Sequence, residues 1–266
     1  TLAQQTLVEV QNLNPESGLS KDALSREVQR VLSIGMSYAD VSTKLDAKNY
    51  RNWVALGNVY QFFAQLKVEG AGDRAREAYD KAKALSPNDR TLDLLFANLS
   101  DASGDASGAK TIIEQSISTF PTIDAYVWLY QRDIAAKDYS KAETHLISAL
   151  QLDNANVGLL TELGTLYFVQ GKYSDAVPLF ERSLAINRNQ PATFAYLGVS
   201  YESLGKSDQA TQVFDFLKQQ LPDVAEKLIS NVRAQKGGAI TPVIDTTIDE
   251  PAADVSTEAP TAKAKP

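Results

Sequence analysis

The stretch Leu163–Gln190, LGTLYFVQGKYSDAVPLFERSLAINRNQ, is followed at Leu197–Pro222 by a second version of itself, LGVSYESLGKSDQATQVFDFLKQQLP. Like residues recur at one constant offset, 34 positions apart. The matched pairs are Gly164 and Gly198, Tyr167 and Tyr201, Gly171 and Gly205, Ala176 and Ala210, and Phe180 and Phe214. A fixed period of this length indicates stacked supersecondary units that share one repeating design.

The same design extends toward the N-terminus. Ala142, Ala109 and Ala75 precede Ala176 at successive offsets of 34, 33 and 34 residues. Prolines recur with the same period at positions 87 and 121, and residues 52–60 read NWVALGNVY, which repeats the Leu-Gly-x-x-Tyr core. The repetition therefore covers most of the chain.

Each unit reads as a pair of helices. Large apolar residues in LGTLYFV recur at spacings of three and four, which places them on one helix face. Gly171 and Gly205 are predicted to end the first helices, because glycine accepts the left-handed cap conformation. Prolines after the second helices stop them, since proline cannot continue the hydrogen-bond ladder. One such pair cannot bury its apolar face alone, whereas a stack of pairs can.

These residues resemble the tetratricopeptide repeat, Trp-x-x-Leu-Gly-x-x-Tyr followed by Gly, Ala, Phe or Tyr, Ala and Pro. The resemblance implies an all-α, right-handed superhelical solenoid of stacked helix-turn-helix units. The pattern departs from the family at Ser100, where tyrosine is expected, and at Tyr130, where glycine is usual. The five predicted repeats span residues 50–89, 90–122, 123–156, 157–190 and 191–223.

The two ends of the chain differ from the repeats. Residues 1–49 are predicted to form a divergent helix pair, whose second helix runs from about Ser20 to Leu45. Residues 224–236 are predicted to form a capping helix with Lys227, Arg233 and Gln235 facing outward. Residues 237–266 are rich in Thr, Pro, Ala and acidic residues and contain no aromatic residue, so we expect this tail to be disordered.

The first repeat is longer than the others. Tyr60 and Ala75 are 15 residues apart, whereas Tyr201 and Ala210 are 9 apart. The six extra residues lie in LKVEGAGDRA and predict either a longer turn or an extended first helix. This surface insertion is either structurally neutral or a binding loop, since loops often carry function.

Composition excludes several functional classes. The net charge of −7 argues against nucleic-acid binding, which needs a basic surface. No apolar run approaches the roughly 18–20 residues that cross a bilayer, so direct membrane insertion is not expected. Cysteine is absent, which excludes disulfides and thiol chemistry.

No motif indicates catalysis or a cofactor. His145 is the only histidine and is predicted to occupy a partly exposed position on a helix. A catalytic triad would need a nucleophile and a carboxylate beside it, and a zinc site would need clustered Cys and His. The glycine-rich stretches GAGD and SGDASG lack the Gly-Lys-Ser/Thr of a phosphate loop and predict turns. We therefore predict a non-enzymatic chain without cofactors or metals.

The resemblance implies a concave groove, formed by the first helices, that captures a protein or peptide partner. Amide side chains there can bond a peptide backbone through both donor and acceptor, and large aromatic residues can serve as anchors. Trp128 is either such an anchor or a core residue, and the amides are either contacts or simply solvated. The predicted groove residues are Arg51, Asn58, Phe62, Asn98, Trp128, Gln131, Thr161, Thr165, Tyr196 and Glu202.

A carboxylate clamp, known from chaperone-binding members of the family, is not expected. Its basic side chains are missing at the corresponding positions, and only Asn58 fits. The positions compared are Val54, Asn58, Thr91, Leu95, Asp124 and Trp128.

The predicted function is that of a protein-interaction scaffold. A second resemblance keeps an alternative open. The long N-terminal helix pair, the insertion EGAGDRAREAYDKA, the further repeats and the Thr/Pro/Ala tail are together similar to the C-terminal repeat regions of multi-spanning bacterial membrane proteins with an O-antigen ligase-like or polymerase-like domain. That resemblance implies an assembly module tethered in a bacterial envelope through segments before Thr1 and linked to polysaccharide synthesis. The compartment stays open between that envelope and the cytoplasm.

Overall fold

The computed structural model describes residues 21–236, except the side chains of 21–25, 27–29, 31 and 32. The predicted first helix of the N-terminal pair and the predicted disordered tail, residues 237–266, lie outside the described residues. The chain divides into two compact halves. The N-terminal half extends to Asn154 and the C-terminal half begins at Ala155.

Both halves are built from α-helices alone within the described range. The N-terminal half contains α1 (Lys21–Leu45), α2 (Tyr50–Gln65), α3 (Ala71–Leu85), α4 (Thr91–Ala102), α5 (Ala106–Thr119), α6 (Ile123–Ala135) and α7 (Tyr139–Leu152). The C-terminal half contains α8 (Val157–Val169), α9 (Tyr173–Ile186), α10 (Pro191–Ser203), α11 (Ser207–Gln220) and α12 (Ala225–Ala234). The predicted all-α fold is confirmed.

Packing follows the repeat. Each of the five predicted repeats contains one helix pair whose two members pack together, from α2 with α3 to α10 with α11. Within each half, the second helix of a repeat also packs on the first helix of the next, as α3 does on α4 and α9 on α10. The helix α1 packs on α2, and α12 packs on α10 and α11.

Small residues allow the two helices of a pair to approach closely. A Cβ atom added at Gly164 would lie 2.6 Å from the ring of Phe180, and one added at Gly198 would lie 2.4 Å from the ring of Phe214. Both distances are far inside van der Waals contact, so only glycine fits. The Leu-Gly core that defines the repeat is thus a packing requirement.

The turns within the pairs use the left-handed conformation, as expected. Gly171 and Gly205 follow α8 and α10 with φ of 74° and 72°. The second helices α3, α5 and α11 end just before Pro87, Pro121 and Pro222, as predicted.

The insertion in the first repeat lengthens both a helix and a turn. The helix α2 has 16 residues, whereas α8 and α10 each have 13. The turn that follows, residues 66–70, contains the left-handed Lys67 and Gly70 and is longer than the three-residue turn between α8 and α9. The insertion therefore produces both a longer turn and an extended first helix, the two alternatives that the sequence left open.

Candidate functional site

The first helices of the N-terminal half are α2, α4 and α6. They carry a row of polar side chains, Asn58, Asn98 and Gln131, which we call the first-helix face. At its centre the indole N–H of Trp128 on α6 donates to the Asn98 Oδ1 atom on α4, at 2.7 Å. Because an indole nitrogen is only a donor, this bond defines the orientation of the Asn98 amide. The Asn98 Nδ2 group makes no hydrogen bond within the described part of the chain.

The indole of Trp128 is held from its other side by Arg132. The Arg132 guanidinium lies 3.9 Å from the centroid of the Trp128 ring and donates to Asp101 Oδ2 on α4 at 2.7 Å. Arg132 also donates to Gln131 Oε1 at 3.4 Å. Trp128 itself is only 5% exposed. Of the two interpretations of Trp128, the structure therefore favours a core residue.

A second amide lies on the neighbouring helix α2. The hydroxyl oxygen of the buried Tyr79 lies 2.8 Å from Asn58 Oδ1 and 2.6 Å from Gln61 Oε1. A hydroxyl has one hydrogen, so one of these two amides turns its NH2 group toward the hydroxyl. Burial raises the pKa of Tyr79 well above its ordinary value. Asn58 keeps one end of its amide available at a half-buried position.

The remaining predicted residues of α2 flank this amide. Arg51 is exposed, with its guanidinium 5.8 Å from the centroid of the Tyr50 ring. Phe62 is half-buried one helical turn beyond Asn58. Six of the predicted groove residues lie on the first helices of the N-terminal half, namely Arg51, Asn58, Phe62, Asn98, Trp128 and Gln131.

The four predicted groove residues of the C-terminal half are either buried or already bonded to other residues of the chain. The Thr161 hydroxyl lies 2.9 Å from Ser183 Oγ and 3.2 Å from Gln190 Oε1. Thr165 and Tyr196 are 4% and 2% exposed. Contact of these residues with a partner stays a prediction, and their burial gives it no support.

The end of α12 contacts Tyr196 and Glu202, the last two predicted groove residues. The Tyr196 hydroxyl donates to Gln235 Oε1 at 2.6 Å, so the prediction that Gln235 faces outward is wrong. Arg233 donates to both carboxylate oxygens of Glu202, each at 3.0 Å. The helix α12, which follows the last repeat, and the residue after it therefore bond polar side chains of α10. The repeat pattern does not predict this pairing.

His145 on α7 is partly exposed, as expected, but it has a specific partner. Its Nδ1 atom lies 2.6 Å from Asp133 Oδ2 on α6, a carboxylate in a residue that is 6% exposed. Within the described residues no hydroxyl forms a hydrogen bond with the imidazole. Asp133 precedes Tyr167 by 34 residues, so it stands where the repeat places tyrosine. The aspartate in place of the expected tyrosine was the feature of the sequence that could have indicated the contact between His145 and Asp133.

The other candidate chemistry is absent from the described residues. No group of three or more His, Cys, Asp or Glu side chains in residues 21–236 is arranged to hold a metal ion. The glycine-rich stretches begin in the turns at Gly70 and Gly104 and continue into the first turns of α3 and α5. Among the helices that the structure describes, none combines the length and the apolar character needed to span a membrane.

Comparison with known proteins places the fold. No family model matches the chain. Over 83 residues, 31% of the chain, it is 34% identical to human tetratricopeptide repeat protein 13, and over 65 residues, 24% of the chain, it is 35% identical to human cilia- and flagella-associated protein 70. The chain spans only 10% and 6% of the lengths of these two relatives.

Solved structures match a larger share of the chain than these two relatives do. Yeast Tom70 matches with a TM-score of 0.60 at 16% identity, over 88% of this chain and 46% of Tom70. The pilus biogenesis factor PilW matches with a TM-score of 0.55 at 16% identity, over 86% of this chain and 99% of PilW. YrrB, a TPR protein with an unusual peptide-binding site, matches with a TM-score of 0.51 at 17% identity, over 74% and 97% of the two chains. The chain has the tetratricopeptide repeat fold.

Proposed function

We propose that this chain is a non-enzymatic protein-interaction scaffold that binds an extended segment of a protein partner on the first-helix face of its N-terminal half. The observation that carries the proposal is the Asn98 amide, whose oxygen is held by the indole of Trp128 while its NH2 group has no intrachain acceptor in the described residues. A pre-oriented donor of this kind suits a peptide carbonyl, because little side-chain freedom is lost on binding.

A second amide occupies the corresponding place one repeat earlier. Asn58 follows Gly57, and Asn98 follows Ala97, the buried small residues of their helices. The helices α2 and α4 are neighbours, so the two amides lie in one row. Two amides in a row can bond successive groups of an extended backbone, and this mode of recognition depends little on the partner's side chains.

The two aromatic residues have different roles in this proposal. Trp128 orients Asn98 and supports Arg132, so it acts by positioning. Phe62 is half-buried and beside Asn58, so it offers the apolar contact that a bound side chain needs. The similarity to YrrB, a TPR protein with an unusual peptide-binding site, is consistent with this use of the fold.

The test uses a matched substitution at Asn98. Asn98→Asp keeps an oxygen acceptor for the Trp128 indole but removes both amide donors. Random peptides would first be selected on the full chain by display, and the dissociation constants of the enriched peptides would then be measured for the parent and the variant. We expect the variant to bind about tenfold more weakly, the value of one lost hydrogen bond.

The control replaces an exposed asparagine outside this face. Asn231→Asp on α12 makes the same chemical change in the C-terminal half, so it should leave peptide affinity unchanged. Equal binding of the enriched peptides by the parent and by Asn98→Asp would contradict the proposal. Thermal unfolding of both variants, compared with the parent, separates a loss of binding from a loss of folding.

The alternative function, an assembly module of a larger membrane-anchored envelope protein linked to polysaccharide synthesis, stays a prediction. It rests on the resemblance of the N-terminal helix pair, the insertion in the first repeat and the tail, and none of the contacts in residues 21–236 favours it. The scaffold proposal is argued from a specific side-chain arrangement and is therefore preferred.

A further inference from the structure

Two adjoining clefts lie in the C-terminal half, apart from the first-helix face. Their volumes are about 380 and 350 Å³, and they share Phe194 and Arg188. The floor is apolar, because Phe194 is 9% exposed, Leu217 is 1% exposed, and the Phe194 ring lies 4.8 Å from that of Phe216. Each cleft is large enough for one aliphatic side chain and its neighbouring backbone.

The shared rim carries an uncompensated positive charge. The Arg188 guanidinium is exposed and lies 5.5 Å from the centroid of the Phe216 ring. In the described part of the chain Arg188 forms no ion pair. Glu181 also lines one cleft, but its carboxylate accepts a hydrogen bond from the Tyr201 hydroxyl. An apolar floor beside an unpaired guanidinium suits a ligand that combines aliphatic and acidic groups.

We propose that residues 243–250 of this same chain, Val-Ile-Asp-Thr-Thr-Ile-Asp-Glu, bind the two clefts. In an extended segment alternate side chains share a side, so Ile244 and Ile248 point the same way, about 13 Å apart. Two isoleucines on one side of the segment offer one aliphatic side chain to each of the two adjoining apolar clefts. Asp245 and Asp249 alternate with these isoleucines and so project to the other side, away from the apolar floor, where the exposed Arg188 at the rim can pair with them.

The position where α12 ends sets which residues can reach the clefts. The helix α12 runs antiparallel to α11, because Glu226 bonds Lys218 at 2.7 Å and Arg233 lies 5.3 Å from the Phe214 ring. Lys236 lies 5.9 Å from the ring of Tyr173, the first residue of α9. The tail therefore leaves the fold near the start of α9, whereas the clefts lie at its end.

The length of α9 gives the span to be crossed. Its 14 residues rise by about 1.5 Å each, which is roughly 21 Å. An extended chain covers about 3.3 Å per residue, so roughly seven residues after Lys236 cross that span. Val243 is the seventh residue after Lys236, so the aliphatic and acidic segment begins at the place where the clefts come within reach. Covalent linkage also gives the segment a high effective concentration, on the order of millimolar.

The absence of cysteine allows a clean cross-linking test in the full chain. The test pair is Gln220→Cys at the cleft rim with Thr247→Cys in the tail. The control pair is Gln209→Cys, an exposed glutamine at the other end of α11, with Thr247→Cys. Gln209 lies at the end of α11 where the tail leaves, so an undocked tail would react there at least as fast. We expect the Gln220 pair to form the intrachain disulfide on the order of tenfold faster under mild oxidation.

Charge and apolar variants of the test pair identify the contacts. Arg188→Glu, or Ile244→Ser with Ile248→Ser, should reduce the rate to that of the Gln209 pair. Combining Arg188→Glu with Asp245→Arg and Asp249→Arg should restore it. Arg182→Glu, at an exposed arginine on α9, should change nothing. Circular dichroism melts would verify that each variant is folded.

Two outcomes would overturn the proposal. One is an equal or faster rate for the Gln209 pair, which would show that the tail does not dock at the clefts. The other is a Gln220 cross-link that forms between chains and rises with protein concentration, which would assign the clefts to a second copy.

Discussion

At the residue scale, Lys137 shows the cost of departing from the repeat. It stands 34 residues before Gly171 and adopts the same left-handed conformation, with φ of 59°. The corresponding turn in the second repeat uses Gly104, with φ of 91°. A side chain with a Cβ atom pays about 1–2 kcal/mol in this region, whereas glycine does not.

Replacing Lys137→Gly should therefore stabilise the N-terminal half. Part of the gain is offset by the greater freedom of glycine in the unfolded chain, so we expect an increase of up to about 1 kcal/mol in the free energy of unfolding. Denaturant unfolding measures it. Lys48→Gly is the control, because Lys48 lies in another turn without positive φ, and it should lose stability. A loss with Lys137→Gly would show that the lysine side chain has a role of its own.

At the scale of elements, one carboxylate ties three helices together. Asp93 on α4 accepts hydrogen bonds from Lys83 on α3 at 2.8 Å and from Ser116 on α5 at 2.7 Å, and Arg90 lies 3.6 Å away. Partial burial alone would raise the pKa of Asp93. The two hydrogen bonds and the charges of Lys83 and Arg90 outweigh it, so the pKa lies below its ordinary value.

Asp93→Asn should lower the free energy of unfolding at pH 7 by about 1–2 kcal/mol, because a hydrogen-bonded charge is lost. A carboxyl with a depressed folded-state pKa stabilises the fold above its unfolded pKa of about 3.9 and loses that effect as pH falls through the folded value. The gap between parent and variant should thus close below about pH 4, as denaturant unfolding from pH 7 to pH 2 would measure. Asp80→Asn, at an exposed site on α3, should leave stability nearly unchanged at every pH. A gap that persists in acid would refute the electrostatic explanation.

At the scale of the whole molecule, a stack of repeats must be closed at its ends. The helix α12 closes the C-terminal half by placing Ile229 and Val232, which are 1% and 2% exposed, against α10 and α11. Its outer side carries exposed polar residues such as Lys227 and Asn231. A terminal helix of this kind keeps the last repeat from presenting an apolar face to solvent.

Ile229→Ser should lower the free energy of unfolding of the C-terminal half by about 2–4 kcal/mol, since a large buried side chain is removed and a hydroxyl is buried in its place. Thermal unfolding and light scattering would report the loss of stability and the exposed apolar surface. Ser230→Ala at the next, exposed position should change neither. Unchanged stability of Ile229→Ser would mean that α12 does not close the repeat.

The amino-acid sequence by itself determined the helix pairs, their period and the residues that make close packing possible. These follow from local physics, because glycine at Gly164 and Gly198, left-handed glycines in turns and prolines after helices act through neighbouring backbone and one facing ring. The all-α fold class could therefore be predicted from the sequence.

Only the tertiary structure decided which polar groups are occupied and which are available. Asn98 and Thr161 read alike in sequence as polar groove positions. Asn98 nevertheless keeps an NH2 group without a partner in the described residues, whereas Thr161 lies in a network with Ser183 and Gln190. Tyr196 and Glu202 are taken by the end of α12, far along the chain. Such pairings join residues about 20 to 40 positions apart, and a periodic pattern specifies where a side chain stands on its helix but not which distant partner its atoms reach.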